Sequence, residues 1–256
     1  MLRQAEFPIL EFDDEREAVI QPIKPKVTDP IAERCVLCFM QEVIDDYKTE
    51  RSLVHVGDVK TCMGPIPIYQ YQQGDARITL LQSGIGSALS AGIFEEIIAL
   101  GCRKFIACGT CGVLSSEILP GQLVVPTAAV RDEGISYHYM PPSREIGAQS
   151  EVNAVIEATL KEVGITYHTG KVWTMDAFYR ETKDKISARV AEGCIAVEME
   201  VAALLAVARF RGVELGYVLL GDDDVSGEEW DRRKGGTPLS FRRRVIDACI
   251  RTVLTM

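Results

Sequence analysis

Two acidic clusters follow apolar runs that have the composition of buried β-strands. Glu198 and Glu200 come directly after Ile195-Ala196-Val197, and the aspartates 222–224 come directly after Tyr217-Val-Leu-Leu-Gly221. An alanine-rich helix is predicted between the two strands, so both clusters stand at the C-terminal ends of strands that one helical crossover joins. In open α/β sheets, ligands bind at that edge. We therefore predict a ligand site that contains these carboxylates.

Glu200 has two possible roles. It stands at the start of the helix predicted from Val201 to about Arg211, where the helix dipole stabilises an acidic side chain by a few tenths to about 1 kcal/mol. Glu198 and Glu200 also flank Met199 directly behind an apolar run, where a carboxylate without a partner is costly. Hydroxyl groups of a ligand would supply such partners. The local pattern leaves a structural and a functional role open.

The bulk composition restricts the class of protein. The 256 residues, 47% hydrophobic and 25% charged, suit one large α/β domain and are few for two. The net charge of −9 argues against a nucleic-acid partner, because a phosphate backbone requires clustered lysine and arginine. No apolar run approaches about 18 residues and the N-terminal segment is acidic. We therefore expect a cytoplasmic protein that has no membrane partner.

The eight cysteines are scattered along the chain, which in a reducing compartment indicates buried thiols. Cys35/Cys38 and Cys108/Cys111 have the spacing of zinc ligands. However, Cys35 and Cys38 lie in an apolar run where residues three apart point to opposite faces of a strand, and Cys108 ends another such run. We expect no metal site.

The chain divides into an arm and one domain. Residues 1–33 are rich in proline and charge, and are predicted to lie over the body or toward a partner subunit. Strands and helices alternate over residues 34–256, which predicts a single α/β domain. Within it, the long connection Arg131–Gln149 fits an active-site wall better than a core element. The tail Pro238–Leu254 is predicted to form a helix that covers the sheet.

Two glycine-containing segments follow predicted strands. Ser83-Gly84-Ile85-Gly86-Ser87 opens a helix that runs to Leu100, and Gly109-Thr110-Cys111-Gly112 follows the strand Lys104–Cys108. Glycines at such junctions allow backbone N–H groups to approach an anion, although tight turns have the same pattern. The first segment lacks the third glycine of the dinucleotide fingerprint. Both segments are candidate ligand loops.

These motifs, in their order and spacing, resemble those of the purine/uridine phosphorylase family (nucleoside phosphorylase family 1). The resemblance extends from about Arg34 to the C-terminus, and Arg131–His138 looks most like the uridine phosphorylase branch. The matching motifs are Ser83-Gly-Ile-Gly86, Gly109-Thr-Cys-Gly112, Pro120-Gly-Gln-Leu-Val124, Asp176-Ala-Phe178, Val197-Glu-Met-Glu200 and Asp222-Asp223.

The resemblance implies a fold and an activity. The implied fold is a three-layer α/β/α sandwich around a twisted mixed β-sheet, assembled as a homodimer or a hexamer. The implied activity is that of a pentosyltransferase of nucleoside metabolism and nucleotide salvage. Such an enzyme needs no cofactor, binds a small-molecule nucleoside and uses inorganic phosphate as co-substrate.

The implied reaction breaks the N-glycosidic bond between a base and a ribose through an oxocarbenium-like transition state. That transition state requires negative charge and hydroxyl acceptors near the sugar, exclusion of water, and a proton or hydrogen bonds for the departing base. By resemblance, Glu200 accepts hydrogen bonds from the ribose hydroxyls and Met199 packs on the sugar. Glu198 lies at the base end.

The base would be held by other residues of the matching motifs. By resemblance, Phe178 stacks on the base, and Cys111 and Gly112 form part of its wall. The family's purine-protonating aspartate aligns with Asp223, although its neighbours Asp222 and Asp224 make an error of one residue easy.

The sequence leaves the base unresolved. The uridine branch holds uracil with a Gln-x-Arg pair after the phenylalanine, and Phe178-Tyr-Arg-Glu-Thr182 contains no such pair. The loop Arg131–His138 therefore indicates a pyrimidine, whereas Asp223 indicates a purine.

The main departure from the family concerns phosphate. The family's phosphorylases hold it with three arginines, whose positions here fall on the loop 39–42 and on Gly64 and Ala107. Charge-assisted hydrogen bonds contribute ~1.5 to 3 kcal/mol each, so their loss would weaken phosphate binding by several orders of magnitude. The candidate phosphate ligands that remain are Thr110, the loop that contains Ser83 and Gly84, and Lys60 or Arg180.

Phosphorolysis is our first hypothesis, and two alternatives stay open. The segment Phe39-Met-Gln-Glu-Val43 resembles the corresponding segment of the sister nucleosidases, so Glu42 is a candidate base that activates water for hydrolysis. Glu42 is also explained as an ordinary acidic residue at the start of a helix, with no role in catalysis. The other alternative is a catalytically silent protein that binds nucleosides.

Overall fold

The computed structural model describes residues 4–233 and 236–256, which form ten β-strands and six α-helices. The strands are β1 (Arg34–Cys38), β2 (Val54–Thr61), β3 (Gly64–Gln73), β4 (Ala76–Gln82), β5 (Lys104–Val113), β6 (Leu123–Asp132), β7 (Glu145–Gly147), β8 (Tyr167–Met175), β9 (Cys194–Glu198) and β10 (Glu214–Asp224). The helices are α1 (Gln41–Glu50), α2 (Ser87–Leu100), α3 (Ser150–Glu162), α4 (Lys183–Ala191), α5 (Val201–Arg211) and α6 (Leu239–Thr255).

The strands form one mixed sheet. Its order is β10-β6-β8-β9-β5-β1-β4-β3-β2, with β7 paired to β6, and β10 also pairs with β5. This additional pairing closes β5, β10, β6, β8 and β9 into a ring, from which β1, β4, β3 and β2 extend as an open sheet. The mixed sheet expected from the resemblance is confirmed. The ring is a feature that the sequence did not reveal.

Helices cover both faces of the sheet, so alternate residues of a central strand enter different cores. In β1, Cys35 and Leu37 pack in the cluster with α2 and α5, whereas Val36 and Cys38 pack in the cluster with α1, α3 and α6. A strand that is covered on both faces reads as a continuous apolar run, which is what the sequence of β1 shows. The α/β/α fold class is confirmed.

The cysteines do not form disulfides in the described part of the chain. Seven of the eight are buried and Cys62 is exposed. Cys35 and Cys38 lie in different cores, which agrees with the strand reading of this Cys-x-x-Cys pair. Among the described residues, no three His, Cys, Asp or Glu side chains are grouped so that they could hold a metal ion. Across residues 4–233 and 236–256, no helix is long and apolar enough to cross a membrane.

The described part of the arm, residues 4–33, lies over the body. Arg16 donates a hydrogen bond to the carbonyl oxygen of Phe210 at 2.6 Å. The Thr28 N–H donates to the Val56 oxygen at 2.8 Å, so the arm adds a short bridge to the outer side of β2. The close approach requires glycine in β2, because a Cβ on Gly57 would lie 2.4 Å from the Lys26 oxygen.

The connection Arg131–Gln149 is not a wall of the cavity described below. It contains β7 and a short 3₁₀ turn, and Tyr139 in it packs edge-to-face against Phe210 of α5. Arg131 is buried and donates to Ser136 and to the Pro141 oxygen, so it holds the segment against the body. The segment is therefore a structural connection, and none of its residues lines the cavity.

Candidate active site

A cavity of about 530 Å³ lies at the C-terminal ends of β5, β9 and β10. This is the sheet edge that the acidic clusters predicted. The lining contains eight of the eleven residues predicted for the site, namely Thr110, Cys111, Gly112, Phe178, Glu198, Met199, Glu200 and Asp223. Further lining residues are Phe39, Ile85, Gly109, Tyr179, Glu181, Val197, Val225, Trp230 and Arg232.

Glu198 caps helix α5. Its Oε2 accepts hydrogen bonds from the N–H groups of Glu200 and Val201, at 2.6 and 2.7 Å. Its Oε1 accepts from the Thr174 hydroxyl, which in turn accepts from the Ala202 N–H at 2.9 Å. Three N–H groups at the start of α5 are therefore satisfied by two side chains from neighbouring strands.

Glu200 is the N-cap residue of α5, but its carboxylate does not cap its own helix. Its Oε1 accepts a hydrogen bond from the Gly86 N–H at 2.6 Å, and the Ser87 hydroxyl donates to the Met199 oxygen at 2.7 Å. The glycine loop after β4 is thus attached to the acidic turn after β9. Because Glu198 supplies the cap, the Glu200 carboxylate is left facing the cavity.

Both glutamates have a raised pKa. Burial is the main cause for Glu198, and the nearby Glu200 carboxylate raises its pKa further. Burial also raises the pKa of Glu200, against the hydrogen bond from Gly86, which lowers it. The two carboxyls therefore compete for ionisation, and a ligand that donates hydrogen bonds or carries positive charge would favour the ionised form.

Three consecutive aspartates end β10, and each has a different partner. Asp222 receives both of its hydrogen bonds from Arg242, at 2.7 and 2.9 Å. Asp224 accepts from the Ser226 N–H at 2.8 Å. Of the three, Asp223 is the one that lines the cavity. The pairing of β10 with β5 shifts register between Gly221 and Asp223, so the side chains of the three aspartates point in different directions.

Asp223 lies against the end of β5. An added Cβ on Gly112 would be 3.4 Å from Asp223 Oδ1, so glycine permits this approach. The Trp230 indole donates to Asp223 Oδ2 at 2.7 Å. Burial raises the pKa of Asp223, while the indole hydrogen bond lowers it and Asp222 raises it. The segment 109–112, which was predicted to be a loop, is part of β5. It continues the strand because Gly112 pairs with both Asp223 and Val197.

Aromatic side chains surround the mouth of the cavity. Phe178 is 51% exposed and Tyr179 is 86% exposed, and their rings are in contact with a centroid distance of 4.1 Å. Such exposed rings beside a cavity are suited to stacking on a planar ligand.

Glu181 is a lining residue that sequence reasoning missed. Its carboxyl has no hydrogen-bond partner among the described residues, and burial, together with Asp223, raises its pKa to about 7. The available signal was an acid three residues after Phe178, within the segment that lacks the Gln-x-Arg pair of the uridine branch.

The cavity contains little positive charge. Arg232 is the one cationic side chain of the lining within residues 4–233 and 236–256, and its guanidinium stacks over the Trp230 ring at 4.4 Å. Lys60 and Arg180 are exposed and lie outside the lining. Four carboxyl groups line the same cavity, those of Glu181, Glu198, Glu200 and Asp223.

Three predicted site residues lie outside the cavity lining. Ser83 is fully buried and Gly84 packs against Leu89, so the nearby lining residue is Ile85. Glu42 lies at the start of α1 as predicted, but it forms an ion pair with Arg242 at 3.2 Å. The structure therefore does not bring Glu42 to the cavity, and its ordinary helix-start role is sufficient to explain it.

Comparison with known proteins supports the resemblance. A guanosine phosphorylase from Halorubrum lacusprofundi is 31% identical over 152 residues, which are 58% of this chain and 61% of that protein. A uridine phosphorylase from Treponema pallidum is 32% identical over 169 residues, 62% of this chain and 64% of that protein. The matched part spans less than two thirds of the length of these relatives.

Solved structures show the same fold at lower identity. A purine nucleoside phosphorylase from Toxoplasma gondii in complex with immucillin-H has a TM-score of 0.74 and 20% identity, with 89% of this chain and 94% of that chain covered. An AMP nucleosidase from Bacteroides thetaiotaomicron has a TM-score of 0.70 and 23% identity, with 88% of each chain covered. The model of the phosphorylase superfamily matches residues 33–255. Since this match covers most of the chain, the chain belongs to the phosphorylase superfamily.

Proposed function

We propose that this protein cleaves the N-glycosidic bond of a purine or pyrimidine nucleoside and transfers the pentosyl group to phosphate. The observation that carries the proposal is that Glu200 and Asp223, from the ends of two different strands, line one cavity. One carboxyl is therefore available to the sugar and one to the base. The names of the relatives, guanosine and uridine phosphorylase, support this reaction.

At the sugar end, Glu200 would accept hydrogen bonds from the ribose hydroxyls. The Gly86 N–H occupies its Oε1, which fixes the carboxylate and leaves Oε2 for the substrate. Positive charge develops on the ribose as the bond breaks, so an ionised and oriented carboxylate stabilises the transition state more than the ground state. Met199 would pack on the sugar, and Thr110 would contact the incoming nucleophile.

At the base end, Asp223 would donate a proton to the departing base. Burial raises the pKa of Asp223, which is the direction that an acid needs to hold its proton until the base accepts it. Phe178 would stack on the base, with Cys111 and Gly112 as part of the wall. The capping bonds of Glu198 support a positioning role, in which it holds Glu200 in place.

Hydrolysis is the second candidate reaction. It is favoured by the charge of the cavity, which contains four carboxyl groups and one exposed arginine, because the carboxyl groups that are ionised would repel phosphate. Glu42 is ion-paired with Arg242 outside the lining, so a cavity carboxyl is the better candidate for activating water.

Base release with and without phosphate distinguishes the two reactions. Guanosine, adenosine, inosine and uridine should be tested, and the sugar product identified as the pentose 1-phosphate or the free pentose. We expect a phosphate-dependent rate and a pentose 1-phosphate. A rate that is indifferent to phosphate rejects phosphorolysis, and tight nucleoside binding without turnover supports the silent binder instead. Glu200→Ala serves as the inactive control.

The cellular setting is also a proposal. The free, mostly buried thiols support a reducing compartment such as the cytoplasm. The resemblance supports a homodimer or a hexamer, and light scattering of the purified chain would measure the assembly.

A further inference from the structure

Trp230 belongs to the segment that follows β10 and has no part in the roles described so far. Its indole N–H donates to Asp223 Oδ2 at 2.7 Å, and its ring lines the cavity. The side chain is 56% exposed, so burial in the core does not explain its position.

The segment that carries Trp230 is held at its base by hydrogen bonds. Asp224 and Asp231 exchange both backbone hydrogen bonds, at 2.8 and 2.9 Å, which closes residues 225–230 into a loop. The nearly buried Arg233 donates to the Gly221 oxygen at 2.9 Å and also to the Ile118 oxygen. The position of the indole is therefore set by a frame of backbone and arginine contacts.

The chemistry of the two groups restricts where a proton can be. An indole N–H can donate but has no acceptor, so Asp223 Oδ2 must accept in this contact. A proton on a neutral Asp223 then belongs on Oδ1, the oxygen nearer to Gly112 in the cavity wall.

We propose that Trp230 is a positioning residue for Asp223, which confines the acidic proton to Oδ1 and so directs it to the nucleobase. This inference rests on the proposed function. As the C1′–N bond breaks, C1′ forms a bond to a phosphate oxygen and the electron pair of the broken bond moves to the base. The base nitrogen takes the proton from Oδ1, and Asp223 becomes a carboxylate. The indole hydrogen bond then becomes charge-assisted, so it strengthens as the reaction proceeds.

Trp230→Phe keeps the aromatic wall and removes the N–H. We expect kcat for purine nucleosides to fall about 10-fold, as for the loss of a hydrogen bond to a charged group. The hydrogen bond lowers the pKa of Asp223, so the alkaline limb of the pH profile should move to higher pH in the variant. On an Asp223→Asn background the same substitution should change nothing further. The proposal is overturned if the alkaline limb of the pH profile does not move in Trp230→Phe, or if Trp230→Phe lowers kcat on the Asp223→Asn background as much as it does alone.

A second measurement does not depend on turnover. The chain has two tryptophans, so its ¹H–¹⁵N spectrum contains two indole signals, and Trp230→Phe identifies one of them. We expect the Trp230 signal to shift as Asp223 titrates, and the shift to disappear in Asp223→Asn. Trp173 donates to Asp132 at 2.9 Å and is the internal reference, whose signal Asp223→Asn should leave unchanged. If the Trp230 signal is the same in Asp223→Asn as in the original protein, the contact is refuted, even if no nucleoside is cleaved. If the signal titrates but no nucleoside is cleaved, the contact stands and only the proposed function is rejected.

Discussion

The ends of β9 and β10 carry acidic clusters of similar composition, but their carboxylates have different kinds of partner. At β9, Glu198 binds backbone N–H groups of α5 and Glu200 binds the N–H of Gly86. At β10, Asp222 is paired with Arg242 and Asp224 contacts Arg233. Both glutamates of the first cluster and Asp223 of the second line the cavity, but the oxygens of Glu198 are engaged in the helix cap, so each cluster leaves one carboxyl for a ligand.

The difference shows that the number of acids in a cluster does not give the number that serve a ligand. At β9, a single methionine separates Glu198 from Glu200. Glu198 uses its carboxylate to cap helix α5, and Glu200 faces the cavity. At β10, a register shift and two arginines withdraw the outer aspartates. Apart from the N–H groups that Glu198 caps, the partners that decide these roles lie between 9 and 114 residues away in sequence, on other elements.

The largest expected effect concerns Glu200. Glu200→Ala removes the acceptor of the ribose hydroxyls, and kcat/KM should fall ~10²- to 10⁴-fold, since two hydrogen bonds to a charged group contribute about 1.5 to 3 kcal/mol each. Glu200→Gln keeps one neutral acceptor and should retain more activity. Full activity of Glu200→Ala would mean that the sugar lies elsewhere.

The second effect distinguishes the aspartates of β10. Asp223→Asn removes the proton donor, so kcat for purine nucleosides should fall ~10²-fold, and by less for pyrimidine nucleosides. Asp222→Asn is the matched control, because its partner Arg242 is outside the cavity. Equal losses in the two variants would show that the acid cluster acts through stability and not through one residue.

The third effect concerns the cap at β9. Thr174→Val keeps the shape of the side chain but leaves the Ala202 N–H without its acceptor, so the free energy of unfolding should fall by about 1 to 3 kcal/mol. Thr174→Ser keeps the hydroxyl and should lose much less. Urea denaturation measures both, and equal losses would assign the effect to packing.

The smallest effect is a pH dependence of stability. The pKa of Glu181 is about 7 in the folded protein, above the usual 4.5 of a glutamate, so the native state holds a proton that the unfolded chain releases. The stability that this proton contributes is fully present below about pH 4.5 and is lost progressively as the pH rises to about 7, and Glu181→Gln should flatten this decline in Tm. The exposed Glu229→Gln is the control. A decline of the same slope in Glu181→Gln would assign it to Glu198 and Glu200, whose pKa values are also raised.

Much of the fold was predictable, because local patterns determine it. β1, α2 and α6 are evident from apolar runs and helical spacing, and the motif order gave the three-layer class. The pairing of β10 with β5 was not predictable, since it joins residues about 110 positions apart through a contact that no local pattern encodes.

The candidate site was predictable where side chains follow directly from strand ends, as for Glu200 and Asp223. It was not predictable where a loop returns to the site, as for Trp230, because the approach of that loop depends on contacts such as that between Arg233 and Gly221. The position of Glu42 outside the lining was not predictable for a related reason, since its partner Arg242 lies 200 residues further along the chain.

The contact between the arm and β2 has a consequence for aggregation. β2 is the last strand of the open part of the sheet, and such an edge offers unpaired backbone groups to any other extended chain. The bridge at Val27 and Thr28 occupies some of those groups. A variant shortened to begin at Arg34 should therefore self-associate through this exposed strand at concentrations where the longer chain does not.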